Sequence, residues 1–118
     1  MSDLISVLVV EDEPLIAMDL AERLADMGYV VLGPAATVDD AEALVAERTP
    51  DIALLDSGVG GQSSTPLAAA LAARGVAVGF CTGFDKIRDL PPELCDAPVL
   101  VKPVSDASLV AILKQLLP

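Results

Sequence analysis

The chain has 118 residues, 53% of them hydrophobic and only 3% aromatic, so residues 1–118 are expected to form one domain around a core of small aliphatic side chains. A net charge of −11 removes the usual electrostatic basis for binding DNA or RNA, and the seven Lys and Arg residues form no run that could follow a phosphate backbone or an anionic membrane. With no His to complete a zinc site, Cys81 and Cys95 read as free thiols in a reducing compartment.

The N-terminal stretch MSDLISVLVVEDE has a short apolar run that no basic stretch precedes and three acids end. It is neither a signal peptide nor a membrane span, so a cytoplasmic protein is expected. Within it, Ile5–Val10 is nearly unbroken and apolar, as a strand covered on both faces must be. Pro14 suits the first position of a helix. Ile16, Leu20, Leu24 and Met27 recur at helical spacing, and Gly28 closes that helix.

The alternation then repeats. Tyr29–Leu32 is predicted as a strand, Asp39–Glu47 as a helix burying Leu44 and Val45, and Ile52–Leu55 as a strand ending at Asp56. A Gly- and Ser-rich loop, Ser57–Thr65, leads to a helix over Pro66–Ala73 that stops at Gly75. Val76–Cys81 and Val99–Val101 are the last two strands, and Asp106–Leu117 is the last helix. Five strand–helix alternations imply a doubly wound, flavodoxin-like α/β fold: a five-stranded parallel sheet with helices on both faces. Between Asp85 and Ala97, Pro91-Pro92 forbids a full helix, so the fourth helix is expected to be short or irregular.

In open parallel sheets the functional groups gather at the carboxyl ends of the strands. Those ends deliver Glu11 and Asp12, then Asp56, then Thr82, then Lys102 before Pro103. Each alone has an ordinary explanation: acids before Pro14 start a helix, and Asp56 before Ser57-Gly58 makes a turn. Together on one rim they offer three carboxylates, a hydroxyl and an ammonium. Oxygen-only ligands suit a hard cation, Mg²⁺ foremost. A carboxylate is a competent nucleophile toward phosphorus, and a metal and a lysine neutralise the equatorial oxygens during transfer.

These residues, in this order from VLVVEDE to VKPVS, resemble the receiver domain of bacterial two-component response regulators. The resemblance implies that Asp56 accepts a phosphoryl group from the phosphohistidine of a sensor histidine kinase. It also implies that Asp12, Asp56 and the Gly58 carbonyl ligate Mg²⁺, with Glu11 assisting, and that Lys102 pairs with Asp56 and then with the phosphoryl group. Thr82 would move toward that group. Such a domain modifies only itself and is not an enzyme acting on a separate substrate. The first helix, with Met18, Glu22 and Ala25, would dock the kinase's helical bundle.

Three departures stand out. Many receivers have a Pro four residues after the acceptor, where this chain has Gly60, so a more mobile loop is expected. The aromatic that usually precedes the Lys and moves with the Thr is replaced, at the position two residues before Lys102, by Leu100. Pro91-Pro92 falls in the usual fourth helix. Phe80-Cys81-Thr82-Gly83-Phe84 resembles the motif of the FATGUY receivers, often stand-alone and paired with HWE or HisKA_2 kinases, and makes Phe84 a candidate moving aromatic. If 118 residues are the whole chain, no output domain follows, and the protein would act through a partner of unknown identity or as a phosphate sink. The alternative is a receiver-like interaction module that needs no phosphate. A nucleotide-binding enzyme is disfavoured by the absence of G-x-x-x-x-G-K-[ST] and G-x-G-x-x-G, and an aspartate-based phosphohydrolase by Gly58 where a second Asp would stand.

Overall fold

β1 (Ser6–Val10) is buried along its whole length, as an apolar strand at the centre of a doubly covered sheet must be. In the computed structural model, which describes residues 4–83 and 90–117, it is followed by α1 (Pro14–Asp26), β2 (Val30–Ala35), α2 (Val38–Glu47) and β3 (Ile52–Leu55). Then come β4 (Gly58–Val59), β5 (Gln62–Ser63), α3 (Thr65–Ala73), β6 (Ala77–Thr82), a 3-10 turn at Pro92–Leu94, β7 (Val99–Val101) and α4 (Asp106–Leu116). The main sheet has the order β2-β1-β3-β6-β7 and every pair in it is parallel. The expected five-stranded doubly wound architecture is present.

Alternation along the strands divides the core in two. Val7, Val9, Ile52, Leu54, Cys81 and Leu100 pack against Leu20 and Leu24 of α1 and Leu109, Ile112, Leu113 and Leu116 of α4. On the other face Leu8, Val10, Ala53, Leu55, Val78 and Phe80 meet α2 and α3, with Leu94 of the 3-10 turn. Phe80 is fully buried in that second layer. Cys81 lies in the first, and burial pushes its thiol up to about 11. Cys95 is exposed, and both thiols are free.

The helices start where the side chains can satisfy exposed N–H groups. Glu13 caps α1 ahead of Pro14, the Thr37 hydroxyl accepts from the Asp40 N–H at 3.0 Å to cap α2, and Ser105 and Ser108 form a reciprocal box at α4. At the opposite end of the sheet from the acids, Asp51 Oδ2 accepts from the Ser6 backbone N–H at 2.9 Å, fastening the start of β1 to the start of β3.

Three expectations need correction. The second strand runs three residues further, to Ala35, because the Glu11 N–H donates to the Ala35 carbonyl and keeps the chain on β1. Met27 does not join the apolar face of α1; it is the C-cap and 36% exposed. The stretch read as an open loop holds a hairpin, β4–β5, in which Gly60 and Gly61 sit at φ 59 and 78 between paired Val59 and Gln62. A two-residue hairpin turn of this kind needs positive φ at both central positions, which Gly supplies without strain. In the fourth connection the described part is a single 3-10 turn at Pro92–Leu94, as the two prolines require; residues 84–89, including Phe84, lie outside the described residues.

Two outcomes follow from this packing. Phe80→Ala should lower unfolding stability by about 3–5 kcal/mol in urea denaturation, since no other aromatic among the described residues fills that layer. A thiol reagent at about pH 8 should modify Cys95 in the native protein and reach Cys81 only after unfolding.

Candidate functional site

The register carries the site beyond the ends of the strands. Val10 is level with Leu55, and Leu55 with Phe80. The Asp56 N–H donates to the Val10 carbonyl at 2.9 Å and the Lys102 N–H to the Thr82 carbonyl at 2.8 Å, so pairing continues one residue past each strand. Val9, Leu54 and Leu100 all face the α1/α4 layer. Two residues further on, the same side of the rim receives Glu11, Asp56 and Lys102.

There they meet. Lys102 Nζ lies 2.7 Å from Asp56 Oδ2 and is also paired with Glu11 Oε1. Glu11 is buried, with only 3% of it exposed, and its second oxygen accepts from the Glu13 N–H at 3.0 Å. Burial raises the Glu11 pKa against the lowering effect of Lys102. For Lys102, burial disfavours the charge, but hydrogen bonds to Asp56 and Glu11 prevail and its pKa is raised. Asp12 stands on the exposed side, where the Gly60 N–H donates to its Oδ2 at 3.0 Å and lowers its pKa. The Gly-for-Pro departure at position 60 therefore supplies a donor to the site, which a proline could not.

Carboxylate oxygens of Glu11, Asp12 and Asp56 lie within 4.8 Å of one another. At an effective dielectric of about 20, two charges at that distance repel by roughly 3 kcal/mol, and one ammonium cannot neutralise three carboxylates. The donor set is oxygen only, which fits a hard divalent cation. Gly58 is beside it: its N–H donates to Asp56 Oδ1 at 3.3 Å.

Thr82 is buried on the other face of the sheet, in the row of Leu55 and Phe80. Its hydroxyl is 3.0 Å from that of Ser57, the residue after Asp56. Strand alternation could have shown this pairing, since Ser57 and Thr82 continue the rows of Leu55 and Phe80. Ser64 gave no such signal. It occupies the N-cap of α3 without capping it, because its hydroxyl donates instead to the Asp56 carbonyl. Its N–H donates to the Ser57 carbonyl at 3.0 Å.

Leu100 requires a correction. It pairs with Cys81 and is buried in the α1/α4 layer, while Thr82 pairs with Val101 and faces the other way. A side chain at position 100 is therefore on the opposite face of the sheet from Thr82. The β7 positions on the Thr82 side are Val99 and Val101, so an aromatic partner for Thr82 is absent from β7 in any case.

The response regulator receiver domain family matches residues 7–114. Among solved structures, SdrG from Sphingomonas melonis Fr1 is 41% identical, with 98% of each chain covered and a TM-score of 0.82. A second SdrG structure, described as the BeF3-activated conformation, is 40% identical over the full length of both chains, with a TM-score of 0.79. Among curated proteins, the transcriptional regulatory protein PdtaR of Mycobacterium tuberculosis is 35% identical over 108 residues, 88% of this chain and 52% of PdtaR. The chain thus spans about half the length of the curated relatives it matches.

Shared use of one ammonium by two carboxylates has a pH signature. A carboxyl with a raised folded pKa holds its proton better folded than unfolded, so its contribution to stability is greatest at low pH and falls as pH rises through the raised value. Glu11 is of this kind. Lys102, a cation whose pKa is also raised, contributes fully at neutral pH and fades only in alkali. In EDTA, Lys102→Ala should cost on the order of 2 kcal/mol at about pH 7.5 and clearly less near pH 5, measured by urea denaturation at the two values.

Proposed function

The chain belongs to the response regulator receiver domain family, and on that premise we propose that Asp56 accepts a phosphoryl group from the phosphohistidine of a sensor histidine kinase. The observation that carries this reading is Lys102 Nζ at 2.7 Å from Asp56 Oδ2 inside a cluster of three carboxylates. The Asp56 carboxylate attacks phosphorus, the new P–O bond forms as the P–N bond breaks, and the imidazole leaves with the electron pair and takes up a proton. Lys102 moves from the carboxylate to the phosphoryl oxygens, where its charge offsets theirs. Thr82 supplies a hydroxyl to the same group. Glu11, Asp12, Asp56 and the Gly58 carbonyl would hold Mg²⁺, which supplies positive charge to the transferring group. The domain modifies itself and turns over no separate substrate.

The BeF3-activated conformation of SdrG supports this reading, since beryllofluoride is a tetrahedral stand-in for a phosphoryl group. For the donor, we favour an HWE or HisKA_2 kinase, from the FATGUY-like run Phe80-Cys81-Thr82-Gly83. Its helical bundle would dock on α1, where Leu15 and Met18 are 75% and 60% exposed and Glu22 and Ala25 are exposed beside them. A groove of about 470 Å³ between α1 and Pro103-Val104 adjoins that face. No helix among the described residues is long and apolar enough to cross a membrane. Output runs through a protein partner, or the domain serves as a phosphate sink.

Incubation with a small phosphodonor and Mg²⁺, read by intact mass, tests the reading. The wild type should gain one phosphoryl group, Asp56→Asn none, and Lys102→Ala should react at least about ten-fold more slowly. Chelation of the metal should stop the reaction. Equal absence of modification in wild type and Asp56→Asn would instead favour the phosphate-independent interaction module.

A further inference from the structure

Asp56 and Ser57 are consecutive and point to opposite faces of the sheet. Asp56 meets Lys102 on the α1/α4 side, and the Ser57 hydroxyl meets Thr82 at 3.0 Å on the α2/α3 side. The backbone around Ser57 is fixed. The Asp56 N–H donates to Val10, the Ser57 carbonyl accepts from the Ser64 N–H, and the Asp56 carbonyl accepts from the Ser64 hydroxyl. Thr82 is only 1% exposed, so water has little access to exchange with this contact.

We propose that Ser57 is a positioning residue that holds the Thr82 hydroxyl in the unphosphorylated chain, and that phosphoryl transfer draws Thr82 away from it. This rests on the reading of Asp56 as the phosphoacceptor. Either hydroxyl can be the donor, so the Ser57–Thr82 contact is an ordinary neutral hydrogen bond whichever way it runs, and it is lost when Thr82 moves. A Thr82 hydroxyl that donates to an anionic phosphoryl oxygen makes a bond roughly twice as strong. With phosphate present the exchange is therefore favourable, and without it Thr82 rests on Ser57. The Ser57 hydroxyl is then a resistance against which the phosphorylated state forms. Its removal favours that state by about the net worth of one buried neutral hydrogen bond, close to five-fold in an equilibrium.

The test uses beryllofluoride with Mg²⁺ as the phosphoryl stand-in, its apparent affinity measured by NMR titration of the full chain. Ser57→Ala should bind about five-fold more tightly than wild type. Ser57→Thr, which keeps a hydroxyl, should restore wild-type affinity. In a Thr82→Ala background, Ser57→Ala should have no effect, because the contact it removes is already gone. Unchanged or weaker binding by Ser57→Ala, with wild type binding normally, overturns the proposal and leaves the phosphoacceptor reading standing. The same gain in the Thr82→Ala background also overturns it, by showing that Ser57 acts without Thr82. A wild type that takes up no beryllofluoride overturns the phosphoacceptor reading and this proposal with it.

Discussion

Lys102 is shared by two carboxylates, Glu11 and Asp56, and burial pushes Glu11 toward neutrality. The rest of the rim is arranged around that excess of negative charge. Three carboxylates and one ammonium do not balance, and the carboxylates remain close because backbone pairing holds them there. A site of this kind stays short of positive charge. Such a deficit favours a hard cation at rest. On the proposed function, the same lysine gains a more highly charged partner when a phosphoryl group is transferred. The attraction that steadies the resting site is then the one that would stabilise the transferring group.

The sheet makes this arrangement inexpensive to build. Val9, Leu54 and Leu100 are ordinary core residues facing α1 and α4. Extending each of those rows by two residues converts a hydrophobic layer into the charged site, with no special turn needed to aim the side chains. Register therefore matters more here than any single contact. A one-residue slip of β3 against β1 would send Asp56 to the α3 side and leave Lys102 with Glu11 alone. The hydrogen bonds from Ser6 to Asp51 at the far end of the sheet oppose that slip.

Most of the fold and the principal site residues were legible in the sequence because both depend on local pattern. Apolar runs give strands, and acids or a lysine at their ends give a rim. The remainder depended on direction in space. The facing of Leu100 away from Thr82 follows from pairing with Cys81, which one sequence does not display. Gly60 read as a source of mobility, whereas with Gly61 it closes a hairpin and turns an N–H toward Asp12. Ser64 read as part of a polar loop, since nothing in a serine's identity tells whether its hydroxyl caps a helix or reaches a carbonyl eight residues back.

The two faces of the sheet also divide the labour. Charge is gathered on the α1 side, beside the exposed apolar residues of that helix. Thr82, Ser57 and the hairpin-to-α3 segment lie on the other side, against Phe80 and the α2/α3 layer. Communication between the faces needs no long path, because Asp56 and Ser57 are bonded neighbours on one strand. β7 places Val99 and Val101 on the Thr82 side, so that strand presents no aromatic to Thr82. On that face the Ser57 hydroxyl contacts Thr82, and the Ser57 carbonyl accepts from the Ser64 N–H at the start of α3. Asp56, Ser57, Thr82 and Ser64 thus form one hydrogen-bonded group that ends at the start of α3.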